Sequence, residues 1–185
     1  PRPVADHAAC ALASRLSHFL ENGPPDAALR QRAEEGTLYT PAVLLAEIDR
    51  LLQGPRLAFF VENFTDYWLS LKDLRRDAVD IRLYPEYRFD DYLLESMEAE
   101  TRTFVTALLR ENLAVTALVD SNFAFLNDRL ARHYELDRLQ GSRLRRVPLP
   151  AGSPRGGLLT QAAVLKVTAN GVSTSPVTRG AWVME

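Results

Sequence analysis

The sequence has one cysteine, Cys10, in 185 residues. A single cysteine excludes an internal disulfide framework and a Cys-x-x-Cys-His haem attachment within this chain. Cys10 stands among alanines in a predicted helix, which is typical of a small buried thiol. The three histidines, His7, His18 and His133, have no short metal-ligand spacing. The sequence therefore predicts neither a metal site nor a cofactor held by this chain.

Long apolar runs are also missing. No run approaches the roughly 18 apolar residues that a membrane-spanning helix needs. The start, PRPVADHAACALASRL, lacks a basic region followed by an apolar core, so no signal peptide is expected in it, and the sequence leaves the location undetermined. The composition, 46% hydrophobic and 25% charged, is that of an ordinary globular protein. The length suits one domain, which we expect to span residues 1–185.

No catalytic motif is complete. Gly156 and Gly157 lack the Gly-Lys-Ser/Thr ending of a phosphate-binding loop. There is no Gly-x-Ser-x-Gly elbow, and the hydroxyl groups near the C-terminus have no partnered histidine. The sequence thus assigns no reaction, and a site has to be sought among polar residues on apolar faces.

Acidic groups are scarce in residues 141–185, which hold six basic residues and one acidic residue, a net charge of +5. Residues 1–140 hold 16 basic and 23 acidic residues, a net charge of −7. The basic residues are spread out and are not interleaved with aromatic ones, which argues against nucleic-acid binding. We expect residues 141–185 to form a basic C-terminal strap that docks on an acidic body, residues 1–140, and begins a following region.

Apolar residues at steps of three and four predict helices along most of the chain. Caps and breakers bound them, such as Asp6 before the first helix and Thr40-Pro41 before the third. We expect helices over about 7–21, 25–35, 41–53, 57–71, 90–112, 113–119, 122–134 and from Pro176 onward, and a short strand within 144–149. The predicted fold is all-α, an irregular multi-helix bundle of about eight helices with a wrapped C-terminal segment.

Glu100 falls inside an apolar stripe of the long helix, beside Met97 and Phe104. A carboxylate on a core face must be ion-paired, hydrogen-bonded or protonated. The nearest complement is the strap, through Arg155 or Arg179. One interpretation is a structural ion pair that locks the strap to the body, and the other is a tuned carboxylate in a cleft that binds a ligand or transfers protons.

Two further residues stand on or beside the stripe of the 122–134 helix. Asn127 shares the direction of its apolar residues, and a buried amide of this kind usually satisfies loop backbone, with a substrate contact as the alternative. His133 stands at the edge of the stripe, near the end of the helix. It is either a histidine favoured by the helix dipole or a ligand-binding or basic group.

The strap contains a predicted helix N-terminus at Ser175-Pro176. Its free N–H groups, with the hydroxyls of Ser173, Thr174 and Ser175, would attract an anion. That anion is either a carboxylate of the protein or an external phosphate, sulfate or uronate. Together with Arg155 and Arg179, these residues complete the candidate binding set.

Several stretches resemble one family in order along the chain. They are LASRLSHFLENGPPDAALRQRAEEGTL (12–38), NFTDYWLSLKDL (63–74), ETRTFVTALLREN (100–112), FAFLNDRLARHYEL (123–136) and RGGLLTQAAVL…TSPVTRGAWVME (155–185). They are similar to the domain-of-unknown-function family numbered fifteen ninety-two, running into the one numbered fifteen eighty-eight. The resemblance implies a fragment of a large exported, extracytoplasmic protein of planctomycetes or other bacteria, with any haem on a neighbouring cytochrome-c-like domain. It carries over no catalytic residue.

Two functions follow as hypotheses. The first is a non-catalytic helical module of a larger exported, haem-associated protein, which binds a neighbouring domain, another protein partner or a polymer. The alternative is part of an enzyme that acts on an anionic or carbohydrate-like substrate through Glu100, His133, Arg155, Arg179 and the 173–175 turn.

Overall fold

A computed structural model describes residues 7–184. The described residues contain eight α-helices and one small antiparallel sheet, which confirms the predicted mostly helical, irregular bundle. They form two compact units that meet in sequence at Asn63 and Phe64. Among the described helices, none is long and apolar enough to cross a membrane. The prediction of one domain over 1–185 stays a prediction.

Unit 1 contains three helices and the start of a fourth. They are α1 (His7–Glu21), α2 (Ala27–Glu34), α3 (Pro41–Gln53) and α4 (Leu57–Trp68), which continues into unit 2. The Asp26 carboxylate caps α2 by accepting the Leu29 N–H at 2.9 Å. The core of unit 1 is formed by small and branched apolar side chains, namely Ala9, Ala13, Leu20, Leu29, Ala33, Leu38 and Leu51. The predicted cap Asp6 lies outside the described residues, and Cys10 is half-buried beside this core.

Unit 2 holds the strap and the remaining elements. They are α5 (Asp91–Arg110), β1 (Phe123–Leu126), α6 (Asp128–His133), β2 (Arg145–Pro148), α7 (Ala162–Val167) and α8 (Pro176–Met184). The amphipathic helix α5 buries the face that carries Met97 and Phe104. The elements β1, α6 and α7 all contact α5, so α5 is the centre of unit 2.

The helix predicted over 122–134 is wrong in its first half. Residues 123–126 form β1, which pairs antiparallel with β2, so that Phe123 lies opposite Pro148 and Leu126 opposite Arg145. Four consecutive apolar residues have no helical or strand period of their own, and the pairing with the predicted strand near 144–149 decides the conformation. Asn127 then caps α6.

Residues 69–90 connect α4 to α5 as an irregular segment with two short 3₁₀ turns, Leu71–Asp73 and Pro85–Tyr87. We call residues 75–90 the connecting loop. The strap residue Gly171 approaches it so closely that a Cβ there would lie 2.2 Å from the Ala78 carbonyl oxygen. Gly171 has φ of 78°, which L side chains rarely adopt, so both space and backbone conformation require glycine.

Candidate functional site

Unit 2 contains a cavity of about 540 Å³ between α5, the connecting loop and the strap. This volume is within the usual range of small-molecule sites. Most of its lining side chains are apolar or aromatic, namely Ala78, Val79, Ile81, Tyr84, Tyr87, Phe89, Leu93, Leu94, Met97, Ala162, Leu165, Ala169 and Val172. His133, Ser173 and Thr174 add polar groups to the wall.

Hydrogen bonds fix the connecting loop to the strap along one side of the cavity. The Lys166 ammonium donates to the carbonyl oxygens of Leu74 at 2.6 Å and Asp77 at 2.8 Å. The Asp80 N–H donates to the Gly171 carbonyl at 3.0 Å, and the Tyr84 hydroxyl donates to the Val172 carbonyl at 3.0 Å. The two walls are therefore held in place without a ligand.

The carboxylates that line the cavity are all paired inside the protein. Asp91 lies 3.2 Å from Arg75, which also lines the cavity. Asp90 lies 2.5 Å from Arg129. Asp77 lies 3.3 Å from Arg76. The cavity thus has an apolar interior and a rim of neutralised charges.

His133 ends α6 and faces the cavity, with its Nδ1 3.3 Å from the Tyr87 hydroxyl. Burial, together with the positive charges of Arg129 and Arg155, lowers the pKa of His133 to about 4, although the charge of Asp90 acts in the opposite direction. The imidazole is therefore neutral at pH 7. His133 lies in the last turn of α6, and both interpretations of it, the helix-terminal histidine and the ligand-binding or basic group, stay predictions.

Glu100 is 1% exposed, and its partner is a phenol rather than a strap arginine. The Tyr134 hydroxyl donates to Glu100 Oε2 at 2.5 Å and accepts the Ala162 N–H at 2.8 Å. The Arg155 guanidinium lies over the Tyr134 ring, 4.1 Å from its centroid. Among the described side chains, the expected ion pair of Glu100 with Arg155 or Arg179 does not form, because Tyr134 occupies the position between body and strap.

The environment of Glu100 favours its neutral form. Burial raises the pKa of Glu100 to about 8, although the Tyr134 hydrogen bond and the charge of Arg155 act in the opposite direction. The space beside Glu100, Tyr134 and Arg155 is only about 10 Å³, at the lower limit for a single water molecule. The carboxyl is consequently a structural group in a closed position with no room for a substrate.

Asn127 uses its side-chain amide within the protein. Its Oδ1 accepts the Leu130 N–H at 2.9 Å, which caps α6. Its Nδ2 donates to Ser96 Oγ at 2.8 Å and to the Ser142 carbonyl at 3.3 Å. The amide therefore joins α5, α6 and the strap, as a buried amide that satisfies loop backbone should.

The strap hydroxyls and Arg179 lie at the start of α8. Ser175 Oγ accepts the Thr178 N–H at 3.2 Å, so the predicted cap is confirmed. Arg179 donates to Thr168 Oγ1 at 3.2 Å and to Thr174 Oγ1 at 2.7 Å. These contacts hold α8 on the end of α7 and occupy the guanidinium.

The eight predicted site residues thus lie in separate places. His133, Ser173 and Thr174 line the cavity, and Glu100 and Arg155 border the small closed space. Asn127 is buried at the start of α6, and Ser175 and Arg179 are at the start of α8. The sequence argument missed the connecting loop and the phenol of Tyr134. Tyr134 stood on the apolar stripe of the predicted 122–134 helix, and a buried phenol needs a partner, so this signal was present.

A second feature of unit 2 is an exposed aromatic cluster at the end of α4, formed by Phe64, Tyr67 and Trp68. Their side chains are 37%, 74% and 47% exposed. The Phe64 and Trp68 ring centroids lie 5.0 Å apart, and the Lys72 ammonium lies 4.5 Å from the centroid of Tyr67. Aromatic groups grouped on a surface are typical of contacts with a partner.

Comparison with known proteins supplies a family and no function. A family model described as PSD4, protein of unknown function (DUF1592), matches residues 8–136. A second, described as PSCyt3, protein of unknown function (DUF1588), matches residues 155–185. No curated protein and no solved structure matches the chain. The cavity has walls from both matched segments, because the connecting loop lies in the first and α7 in the second.

Proposed function

Since this chain belongs to the PSD4 family of proteins of unknown function, we propose that it is a non-catalytic helical module that binds a partner domain of a larger, exported, haem-associated protein. The family name PSCyt3, matched by residues 155–185, supports the association with a cytochrome. With one cysteine the chain has no haem attachment motif, so we assign the haem of that protein to a neighbouring domain.

The absence of catalysis is supported by the positions of the polar residues. Glu100 is closed off beside Tyr134, and Arg179 is engaged by Thr168 and Thr174. His133 faces the cavity without Glu100 or Arg179 beside it. A reaction on an anionic or carbohydrate-like substrate requires such groups to converge on one reacting atom. Turnover of an anionic polysaccharide by the purified chain would contradict this part of the proposal.

The observation that carries the partner-binding role is the aromatic cluster. Tyr67 is 74% exposed and Trp68 is 47% exposed, and both are anchored on a regular helix. Tyrosine and tryptophan provide large contact areas with few rotatable bonds, which makes them frequent hot spots of protein interfaces. A protein partner that covers them would remove this apolar surface from water.

Site-specific photo-crosslinking tests the proposal in the polypeptide that carries this chain, expressed in its bacterial host. A benzophenone amino acid replaces Tyr67, and a matched variant carries it at Val115, which is 75% exposed in the same unit. We expect a crosslink from position 67 alone, to a protein segment that peptide sequencing identifies and that stains for haem. Trp68→Ser should reduce its yield.

Two results would overturn the proposal. Equal crosslinking from both positions would show that position 67 is ordinary surface. An adduct with carbohydrate rather than peptide would assign the aromatic cluster to a polymer instead of a partner domain. Fractionation of the same cells reports whether the polypeptide is exported.

A further inference from the structure

The cavity of unit 2 has the properties of a preformed ligand site. Its volume is about 540 Å³, and its walls are joined by hydrogen bonds from Lys166, Asp80 and Tyr84. A cavity that is held open by its own backbone contacts does not have to be ordered by the ligand, so less binding energy is lost. This cavity is a different surface from the aromatic cluster of the proposed partner contact.

The charges of the lining indicate a neutral ligand. Asp91, Asp90 and Asp77 each have an arginine partner. The Lys166 ammonium already donates to two carbonyl oxygens. A charged ligand would lose its hydration in this cavity, and an anion could pair with Lys166 only by competing with the carbonyl oxygens that already hold its ammonium, so its desolvation is expensive.

The polar groups on the wall are neutral as well. His133 is uncharged at pH 7, since its pKa is lowered by burial and by two arginines, and its Nδ1 is close to the Tyr87 hydroxyl. Thr174 adds a hydroxyl on the strap side. Such groups orient a ligand through hydrogen bonds while the apolar wall supplies most of the affinity.

Phe89 provides an independent observation at the mouth of the cavity. Its side chain is 88% exposed, and its φ of 57° is a left-handed conformation that bulky residues rarely adopt. The next residue, Asp90, enforces this turn because it caps α5 through the Leu93 N–H and binds Arg129. An exposed ring held in an unfavourable backbone conformation is typical of a functional position.

We propose that this cavity binds a neutral, largely apolar molecule of drug-like size, over which the Phe89 ring closes. The apolar interior and the paired rim favour this class over an anion or a sugar, and the exposed Phe89 ring at the mouth adds an apolar surface. The ligand would contact the connecting loop and the strap at once, and would therefore stabilise the contact between the two matched family segments.

Two fluorescent probes with the same ring skeleton test the charge and the place of binding. N-phenyl-1-naphthylamine is neutral, and 1-anilinonaphthalene-8-sulfonate carries an added sulfonate. We expect the full chain to bind one molecule of the neutral probe, at least about tenfold more tightly than the sulfonated one, because the sulfonate would lose its hydration in a cavity whose charged groups are already engaged. Absence of binding of the neutral probe, or tighter binding of the sulfonate, would overturn the proposal.

Cavity-filling variants locate the probe. Leu94→Trp places a larger side chain in the cavity wall and should weaken binding of the neutral probe at least about tenfold. Leu45→Trp is the matched control, because Leu45 is 61% exposed on α3, and it should leave binding unchanged. Equal effects of the two substitutions would contradict binding in the cavity.

A variant at the mouth of the cavity tests the same site without a change to the packing of the cavity wall. Val172→Trp changes a residue that is 47% exposed at the mouth, so the fold should tolerate it while access to the cavity is reduced. Amide chemical shifts of the wild-type chain with the neutral probe give a separate answer. Changes should be largest in the connecting loop and in residues 162–174, and changes centred elsewhere would refute the assignment.

Discussion

The hydroxyl of Tyr134 donates a hydrogen bond of 2.5 Å to Oε2 of Glu100, a residue 34 positions earlier in the chain. The hydroxyl oxygen of Tyr134 also accepts a hydrogen bond from the N–H of Ala162, the first residue of α7. One phenol thereby satisfies a buried carboxyl of α5 and a free backbone donor of the strap. Because Glu100 and Tyr134 are structural groups, we expect substitutions of them to change the stability of the protein rather than a reaction.

Glu100 should make the stability of the protein fall as pH rises. Its pKa is about 8 in the folded chain against 4.5 in the unfolded chain, so only the unfolded chain loses the proton between these values. The stabilisation that Glu100 contributes is fully present below about pH 4.5 and is lost progressively as pH rises to about 8. Over this interval the free energy of unfolding falls by at most about 1.4 kcal/mol per pH unit. Glu100→Gln should remove this slope in urea titrations, whereas Glu95→Gln, on the exposed face of α5, should keep it.

His133 should make the stability of the protein fall as pH falls, which is opposite to the effect of Glu100. Its pKa is about 4 in the folded chain and 6.5 in the unfolded chain, so its stabilisation is complete above about pH 6.5 and is lost as pH falls toward 4. His133→Gln cannot take up this proton and should be less sensitive to acid over that interval. Denaturation at pH 7 and pH 5 measures the difference. An identical acid response of wild type and variant would show that the imidazole is solvated.

Gly171 should be intolerant of even the smallest side chain. Gly171→Ala brings a Cβ to 2.2 Å from the Ala78 carbonyl oxygen. Gly152→Ala is the matched control, because Gly152 has φ of 75° and no heavy atom within 4 Å of an added Cβ. The control should lose about 1 kcal/mol through its left-handed backbone alone. Gly171→Ala should lose at least about 2 kcal/mol more through displacement of the strap, as measured by urea unfolding.

Replacement of Phe89 by glycine should stabilise the protein, although most substitutions destabilise. Phe89→Gly relieves a left-handed conformation, so the free energy of unfolding should rise by about 1 kcal/mol. The same variant should bind N-phenyl-1-naphthylamine more weakly, because the ring no longer covers the cavity. Val115→Gly, at an exposed residue with ordinary backbone, should not be stabilised. Loss of stability in Phe89→Gly would contradict strain at this turn.

The prediction of one domain over 1–185 can be tested with the native chromophores. Both tryptophans, Trp68 and Trp182, belong to unit 2, whereas helical circular dichroism reports both units. A single cooperative domain should give coincident urea transitions with the two probes. A helical signal that changes at a urea concentration where tryptophan fluorescence is constant would separate unit 1 from unit 2.

The long helices could be predicted from the sequence because their apolar spacing repeats over several turns. The helix predicted over 90–112 is α5, from Asp91 to Arg110, and its buried stripe contains Glu100 as expected. The strand β1 could not be predicted, since Phe123–Leu126 has no period and depends on pairing with β2. The conformation of long elements follows from their local sequence pattern, whereas that of a short element such as β1 depends on its pairing with a distant segment.

The cavity could not be predicted for a related reason. The connecting loop has no periodic pattern, and its position depends on contacts such as that of Tyr84 with Val172, 88 residues away in sequence. Glu100 was recognised because it interrupts an apolar stripe, but its partner depended on where α6 places Tyr134. Sequence pattern therefore identified the burial of the carboxyl without identifying what satisfies it.

The Tyr134 phenol also bears on how such chains can be rearranged in evolution. It belongs to the segment matched by one family, 8–136, and it caps the first turn of α7 in the segment matched by the other, 155–185. A recombination that replaced the second segment with an unrelated sequence would leave the phenol without its donor and the cavity without its strap wall. The boundary between the two family descriptions is thus a poor crossover point, and the two segments should be inherited as a pair.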